Sequence, residues 1–190
     1  MYKIAIFASG SGSNAQSVYE YFERSQLARV EMIVTNNSKA GVISRFKEKN
    51  TALLVFNPLT DSQEMLEKLE STVDIILLAG YTRLIPKDWT IAFANRIVNI
   101  HPSLLPKFGG KGMYGKRVHE AVCESGDLES GITIHLVNEH YDKGSIIAQF
   151  KVKLMPSDSA AEIEIKVRAL EQEFYAPTVE GWMKNEITLQ

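Results

Sequence analysis

Short apolar runs alternate with amphipathic stretches along most of the chain. Lys3–Ala8, Val30–Asn36, Ala52–Phe56, Asp74–Ala79 and Arg96–His101 read as strands, and Ile132–Val137 and Ser145–Leu154 add two more. Several are nearly continuous, as in Ile75-Ile76-Leu77-Leu78-Ala79, which suits parallel strands covered on both faces. Helical spacing predicts helices over Asn14–Arg24, Val42–Asn50, Gln63–Glu70, Lys87–Ala94, Gly115–Cys123 and Ala160–Lys184. Val18, Tyr21 and Phe22 mark the apolar face of the first. Pro86 fits the opening turn of the fourth, where no amide donor is needed, and Pro177 predicts an interruption or kink in the last. Strand–helix alternation of this kind predicts an α/β fold built on a parallel sheet. The last two strands, joined by Asn138–Gly144, could instead pair antiparallel. Without a repeat or a Pro/Gly/Ser-rich linker, residues 1–190 are expected to form one domain.

Composition narrows this picture without naming a function. The 190 residues are 45% hydrophobic and 23% charged, ordinary for a globular chain long enough to bury its own core. A lone cysteine, Cys123, excludes an internal disulfide and a Cys-rich zinc site, and on its predicted helix it reads as a packing residue. A net charge of −2 gives no global pull toward nucleic acid. No apolar run reaches the roughly 18 residues of a membrane span. Tyr2-Lys3 leads into a short apolar run that meets Gly10, unlike a signal peptide, so a cytoplasmic location is expected. No His/Asp/Glu spacing suggests a metal.

Three places carry candidate chemistry. Gly10-Ser11-Gly12-Ser13-Asn14-Ala15 follows a buried strand and opens a helix, so its backbone amides and the helix dipole would face an anion. The hexapeptide also fits a dinucleotide fingerprint, but the second strand ends in Thr35-Asn36-Asn37, without the carboxylate a dinucleotide ribose requires. A single phosphate fits better, and a plain turn capped by Ser13 or Asn14 is the competing reading. In Arg96–His101, Asn99 and His101 are two apart and so share one face, just before Pro102 ends the strand. In open α/β sheets that is where ligands bind; the alternative is a hydrogen-bonded pair at a strand end. Asp142 lies in the loop Asn138–Gly144, with no spacing that singles it out. His135 reads as a satisfied structural histidine, His119 and His140 as surface residues.

Longer stretches carry a family resemblance. Asn99-Ile100-His101-Pro102-Ser103-Leu104-Leu105-Pro106-Lys107-Phe108 resembles a segment specific to folate-dependent formyltransferases and a related hydrolase. Gly10–Asn14 resembles the phosphate loop of the glycinamide ribonucleotide transformylases, and Leu78–Ile85 resembles their folate-pocket segment. Gly131–Val137 with Asp142-Lys143-Gly144 resembles the region that supplies their catalytic aspartate. The resemblance implies a Rossmann-like, mostly parallel twisted sheet with helices on both faces. It also implies formyl transfer from 10-formyltetrahydrofolate, as co-substrate, to glycinamide ribonucleotide in purine synthesis. By the same resemblance Asn99, His101 and Asp142 would be catalytic, while Gly12, Ser13, Asn14 and Glu171 would hold the ribonucleotide. Thr82, Arg83, Leu84 and Ile85, together with Asn99, Asn138, Glu139, His140 and Tyr141, would hold the folate. Small-molecule substrates, no metal, no nucleic acid, no membrane, and a monomer or homodimer complete the expectation.

Two features depart from the common pattern. Asn57–Gln63 lacks the arginine that many relatives place near the folate's glutamate tail. The glycine-rich Phe108–Gly115 is longer than usual and is expected to be a mobile flap. Related readings are a 10-formyltetrahydrofolate deformylase, a methionyl-tRNA formyltransferase, and a non-catalytic nucleotide-binding module. The first two usually carry a further domain, for which 190 residues leave little room.

Overall fold

In the computed structural model, which describes residues 1–187, the backbone forms two compact units, Met1–Val98 and the residues from Asn99 onward. The first unit holds strands β1 (Tyr2–Phe7), β2 (Ala28–Thr35), β3 (Ala52–Val55) and β4 (Ile75–Leu78) in the order β3-β2-β1-β4. The pairs β1–β2, β1–β4 and β2–β3 are all parallel. Crossovers run through helices α1 (Ser13–Phe22), α2 (Gly41–Phe46) and α3 (Ser62–Thr72), with α4 (Lys87–Ala92) following β4. The continuous apolar runs have the predicted consequence: Ile4–Phe7, Ile33, Val34 and Ile75–Leu77 are essentially inaccessible to solvent. Phe7 anchors an aromatic group, edge-on to Phe56, Tyr81 and Trp89. On α1 the buried face is Ala15, Val18, Tyr19 and Phe22, so Tyr19 takes the place expected of Tyr21.

The second unit opens with the last three residues of β5 (Ile97–His101) and continues through α5 (Lys116–Ser125), β6 (Glu129–Leu136), β7 (Ile146–Lys153) and α6 (Ala160–Trp182). Its strands lie in the order β5-β6-β7. β6 and β7 form the antiparallel pair, in a register that sets Thr133 opposite Gln149. α6 begins with a reciprocal cap in which Ser159 Oγ accepts the Glu162 amide and the Glu162 carboxylate accepts the Ser159 amide. The helix does not stop at Pro177, contrary to the expectation from its missing donor. Tyr175, Ala176, Val179 and Trp182 flank the proline and are buried, and this packing offsets the lost backbone bond. Phe174 of α6 stacks on Phe150 of β7 with ring centroids 4.1 Å apart.

Two side chains depart from expectation. His119 on α5 is only 5% exposed, since it sits with Val118 and Val122 on the helix's inner face. Cys123, expected to pack, is exposed, with its sulfur 3.6 Å from the Asp158 carbonyl.

Candidate active site

The strand order of the first unit changes direction between β1 and β4, both of which neighbour each other while their successors lie elsewhere. In parallel α/β sheets a crevice opens there, outside the carboxyl ends of the strands. The glycine loop is the segment that leaves β1. Gly12 is the N-cap of α1 at φ 76°, and a Cβ there would lie 2.7 Å from the Val42 side chain, so the loop requires glycine on both counts. No side chain caps α1, which removes the plain capped-turn reading for Ser13 and Asn14. The first-turn amides therefore point outward at the positive end of the helix. The Asn14 Oδ1 is buried without a hydrogen-bond partner.

Ser9 fastens this loop to its surroundings. Its amide donates to the Gly80 carbonyl, and its hydroxyl donates to Asn36 Oδ1 at 2.6 Å while accepting the Thr82 amide at 3.1 Å. The asparagines that end β2 are thus engaged with the loop: Asn37 Nδ2 also donates to the Ser9 carbonyl. The segment expected to hold folate leaves β4 here, with Thr82 half-buried, Arg83 and Leu84 exposed and Ile85 buried. Arg45, which nothing in the sequence marked, donates from Nε to the Ser11 carbonyl and from a terminal nitrogen to Gln16 Oε1, both at 2.6 Å. It puts a guanidinium beside the loop.

The second unit gathers a separate polar cluster. Asn99 and His101 project from β5, His135 comes from β6, and Asp142 from the loop before β7. Asp142 Oδ1 lies 3.5 Å from His101 Nδ1 and 3.7 Å from His135 Nε2. Asn99 Nδ2 is 3.1 Å from His135 Nε2. The carbonyl partners fix the ring hydrogens, because a carbonyl oxygen only accepts. His135 Nδ1 donates to the Leu136 carbonyl at 2.7 Å, leaving Nε2 to accept from the Asn99 amide. His101 Nε2 donates to the Phe108 carbonyl at 2.8 Å, so its Nδ1 faces Asp142 and is where a second proton would go. Asn99 keeps one amide hydrogen beyond the bond to His135. Asp142, at the unusual φ of 55°, accepts the Gly110 amide on Oδ2 at 2.7 Å. The start of the glycine-rich flap is therefore tied to both His101 and Asp142.

Electrostatics separates these groups. Burial pushes His101 below the ordinary imidazole value, and it outweighs the opposing pull of Asp142 and the Phe108 carbonyl. Burial alone would raise Asp142, but the neighbouring imidazoles of His135 and His101 and the Gly110 amide together hold it below the ordinary carboxylate value. Near neutrality the pair is then a carboxylate beside a neutral imidazole. Burial also lowers His119, with Glu164 pulling the other way.

The remaining expected residues lie in the loop before β7 and on α6. Asn138 is half-buried and shapes its loop by accepting the His140 amide and donating to the Lys143 carbonyl, while Glu139 and His140 are exposed. Glu171 lies half-buried on α6. Among the described residues no group of three or more His, Cys, Asp or Glu side chains is arranged to hold a metal.

A family model described as formyl transferase matches residues 2–179, a span that runs through both units. The chain belongs to the formyl transferase family. It is 41% identical to a chloroplastic phosphoribosylglycinamide formyltransferase of Vigna unguiculata over 97% of its own length. It spans 62% of that relative and 64% of the one from Arabidopsis thaliana, less than two thirds of either. It is also 34% identical to the phosphoribosylglycinamide formyltransferase of Haemophilus influenzae, covering 91% of that protein. The crystal structure of phosphoribosylglycinamide formyltransferase from Bacillus halodurans superposes with a TM-score of 0.87 at 33% identity, covering 96% of each chain. The expected α/β formyltransferase fold, a mostly parallel sheet with helices, is the fold of this chain. Among its described residues, no helix is long and apolar enough to cross a membrane.

His135 is the cluster member that sequence reasoning missed. The signal was present: in Ile132-Thr133-Ile134-His135 two polar residues interrupt a buried strand at a spacing of two. Only the fold shows what they face.

Proposed function

We propose that this formyl transferase moves the formyl group of 10-formyltetrahydrofolate to the primary amine of glycinamide ribonucleotide, in purine synthesis. The observation that carries the reading is the cluster of Asn99, His101, His135 and Asp142, in which an ionised carboxylate sits beside a neutral imidazole and an amide donor. The relatives' names supply the substrate class.

The amine nitrogen attacks the formyl carbon, a C–N bond forms, and the carbonyl oxygen gains negative charge. The uncommitted amide hydrogen of Asn99 is suited to stabilise that oxygen. The attacking amine must lose a proton and the departing folate nitrogen must gain one. Asp142 accepts the first, with His101 Nδ1 beside it to share the charge. The tetrahedral intermediate then collapses, the bond to the folate nitrogen breaks, and the proton taken up at Asp142 and His101 is returned to that nitrogen, so that tetrahydrofolate leaves neutral. Gly12, Ser13 and Asn14 hold the ribonucleotide phosphate on the first-turn amides of α1, with Arg45 adding positive charge nearby. Glu171 contributes to ribonucleotide binding. The folate ring is held by Thr82–Ile85, Asn99 and the loop Asn138–Tyr141. Holding both substrates makes the step effectively intramolecular.

One assay tests the reading: the protein, a 10-formyl folate and glycinamide ribonucleotide, with folate release followed in time. Release that requires the ribonucleotide is expected. Release without it would replace transfer by hydrolysis, and no release in either case would refute both.

A further inference from the structure

We infer that Thr133, on β6, is a positioning residue that sets the hydrogen of His101 by holding the loop between Pro102 and Phe108. Thr133 is fully buried, and its hydroxyl uses its whole hydrogen-bonding capacity. It donates to the Ser103 carbonyl at 2.7 Å and accepts the Leu105 amide and the Gln149 side-chain amide, each at 2.9 Å. The same Gln149 nitrogen donates to the Leu105 carbonyl at 2.9 Å. One hydroxyl on a rigid strand thus fixes two points of a loop that has no secondary structure of its own.

The rest of the loop follows from those points. Ser103, also fully buried, donates from its hydroxyl to the Lys107 carbonyl at 2.8 Å. The next residue is Phe108, whose carbonyl accepts His101 Nε2–H. Thr133 touches neither His101 nor Asp142 in this chain of bonds. Its effect passes through Ser103 and Lys107 to the carbonyl that decides which ring nitrogen of His101 carries hydrogen. While that carbonyl is in place the neutral ring is protonated at Nε2 and presents Nδ1 to Asp142. If the carbonyl withdraws, Nε2–H loses its partner, the carboxylate is left as the ring's acceptor, and the hydrogen moves to Nδ1, where it blocks proton uptake. The other titratable groups facing His101 are His135 from β6 and His119 from α5, and neither substitutes for the Phe108 carbonyl.

The inference rests on the formyl-transfer reading only for its kinetic consequence, so the test has two readouts. Thr133→Val keeps the shape and removes the hydroxyl; Thr133→Ser restores the hydroxyl. The ring ¹⁵N shifts of His101 are expected to report hydrogen on Nε2 in the natural protein and in Thr133→Ser, and on Nδ1 in Thr133→Val. In the assay with glycinamide ribonucleotide, Thr133→Val is expected to lower kcat roughly tenfold, with KM for the ribonucleotide within about twofold, as for a group acting on the transition state. Thr133→Ser is expected to recover most of that loss. An Nε2 hydrogen together with natural kcat in Thr133→Val overturns the inference. If Thr133→Val does not fold, Gln149→Leu removes two of the loop's bonds from an exposed strand position, and an unchanged His101 hydrogen there overturns it equally. A natural protein that transfers no formyl group refutes the proposed function while the ¹⁵N readout still decides the role of Thr133.

Discussion

The glycine loop after β1 and the polar cluster at the end of β5 handle their polar groups in opposite ways. The loop leaves α1 uncapped, buries the Asn14 Oδ1 without a partner, and depends on a glycine in the left-handed region. The cluster pairs almost every polar atom it has: His101 with Phe108, His135 with Leu136 and Asn99, Asp142 with Gly110 and two imidazoles. An uncapped helix start is suited to receive an anion whose own charge completes it. A paired cluster is suited to give titratable groups defined starting protonation states from which a proton can be taken or given, which simple binding does not require. Under the proposed function, this difference gives substrate affinity and chemistry to separate segments, so mutations should divide cleanly between them.

The sharpest break in that division comes from Asp142→Asn. The amide still accepts from Gly110 but takes no proton, so kcat should fall by on the order of 10²–10⁴-fold while KM for the ribonucleotide stays within a few-fold. Steady-state kinetics check it, and a change confined to KM would erase the contrast.

Gly12→Ala probes the other region. A Cβ at φ 76° and 2.7 Å from Val42 would distort the loop, so KM for the ribonucleotide should rise roughly tenfold, a loss of about 1.4 kcal/mol, with kcat changed far less. The two variants together form the test: each should move the constant the other spares.

The protonation states make a third expectation. Burial lowers His101 and His119 in the folded protein, so the unfolded chain binds protons more readily. Stability should therefore fall as pH drops below about 6.5, the ordinary imidazole value, and keep falling until the lower folded values are passed. Asp142 adds to the loss at still lower pH, since its carboxylate is held below the ordinary value and its contribution disappears as it protonates. Urea unfolding between pH 7 and 5 should show the slope, and His119→Gln should flatten the part that His119 contributes.

The smallest effect serves as a control. Ser159→Ala removes the side-chain half of the cap on α6, far from either region in sequence, and should lower stability by about 1 kcal/mol. A thermal melt checks the loss, and kcat and both KM values should stay as they are.

Much of this is legible in the sequence. The buried runs of β1, β2 and β4 announced a parallel sheet, because a strand covered on both faces has no polar side to show. Gly12 and the pair Asn99 and His101 were legible for local reasons: a turn that needs glycine, and a period of two that puts two polar residues on one face. The interruption expected at Pro177 does not occur, because helix propensity is a local preference and burial of its neighbours in α6 overrode it. His119 misled because its burial follows from the helix face it shares with Val118 and Val122, which the residue type alone does not announce.

What the sequence determined by itself is the set of elements, their alternation and the family, all of which follow from periodicity and from motifs contiguous in the chain. The tertiary structure decided how Asn99, His101, His135 and Asp142 meet, that Arg45 stands beside the glycine loop, and that Thr133 governs the loop carrying Phe108. Apart from His135 and Asp142, those contacts join residues about 30 or more positions apart, and the protonation states they set depend on burial and on hydrogen-bond partners that no local spacing encodes.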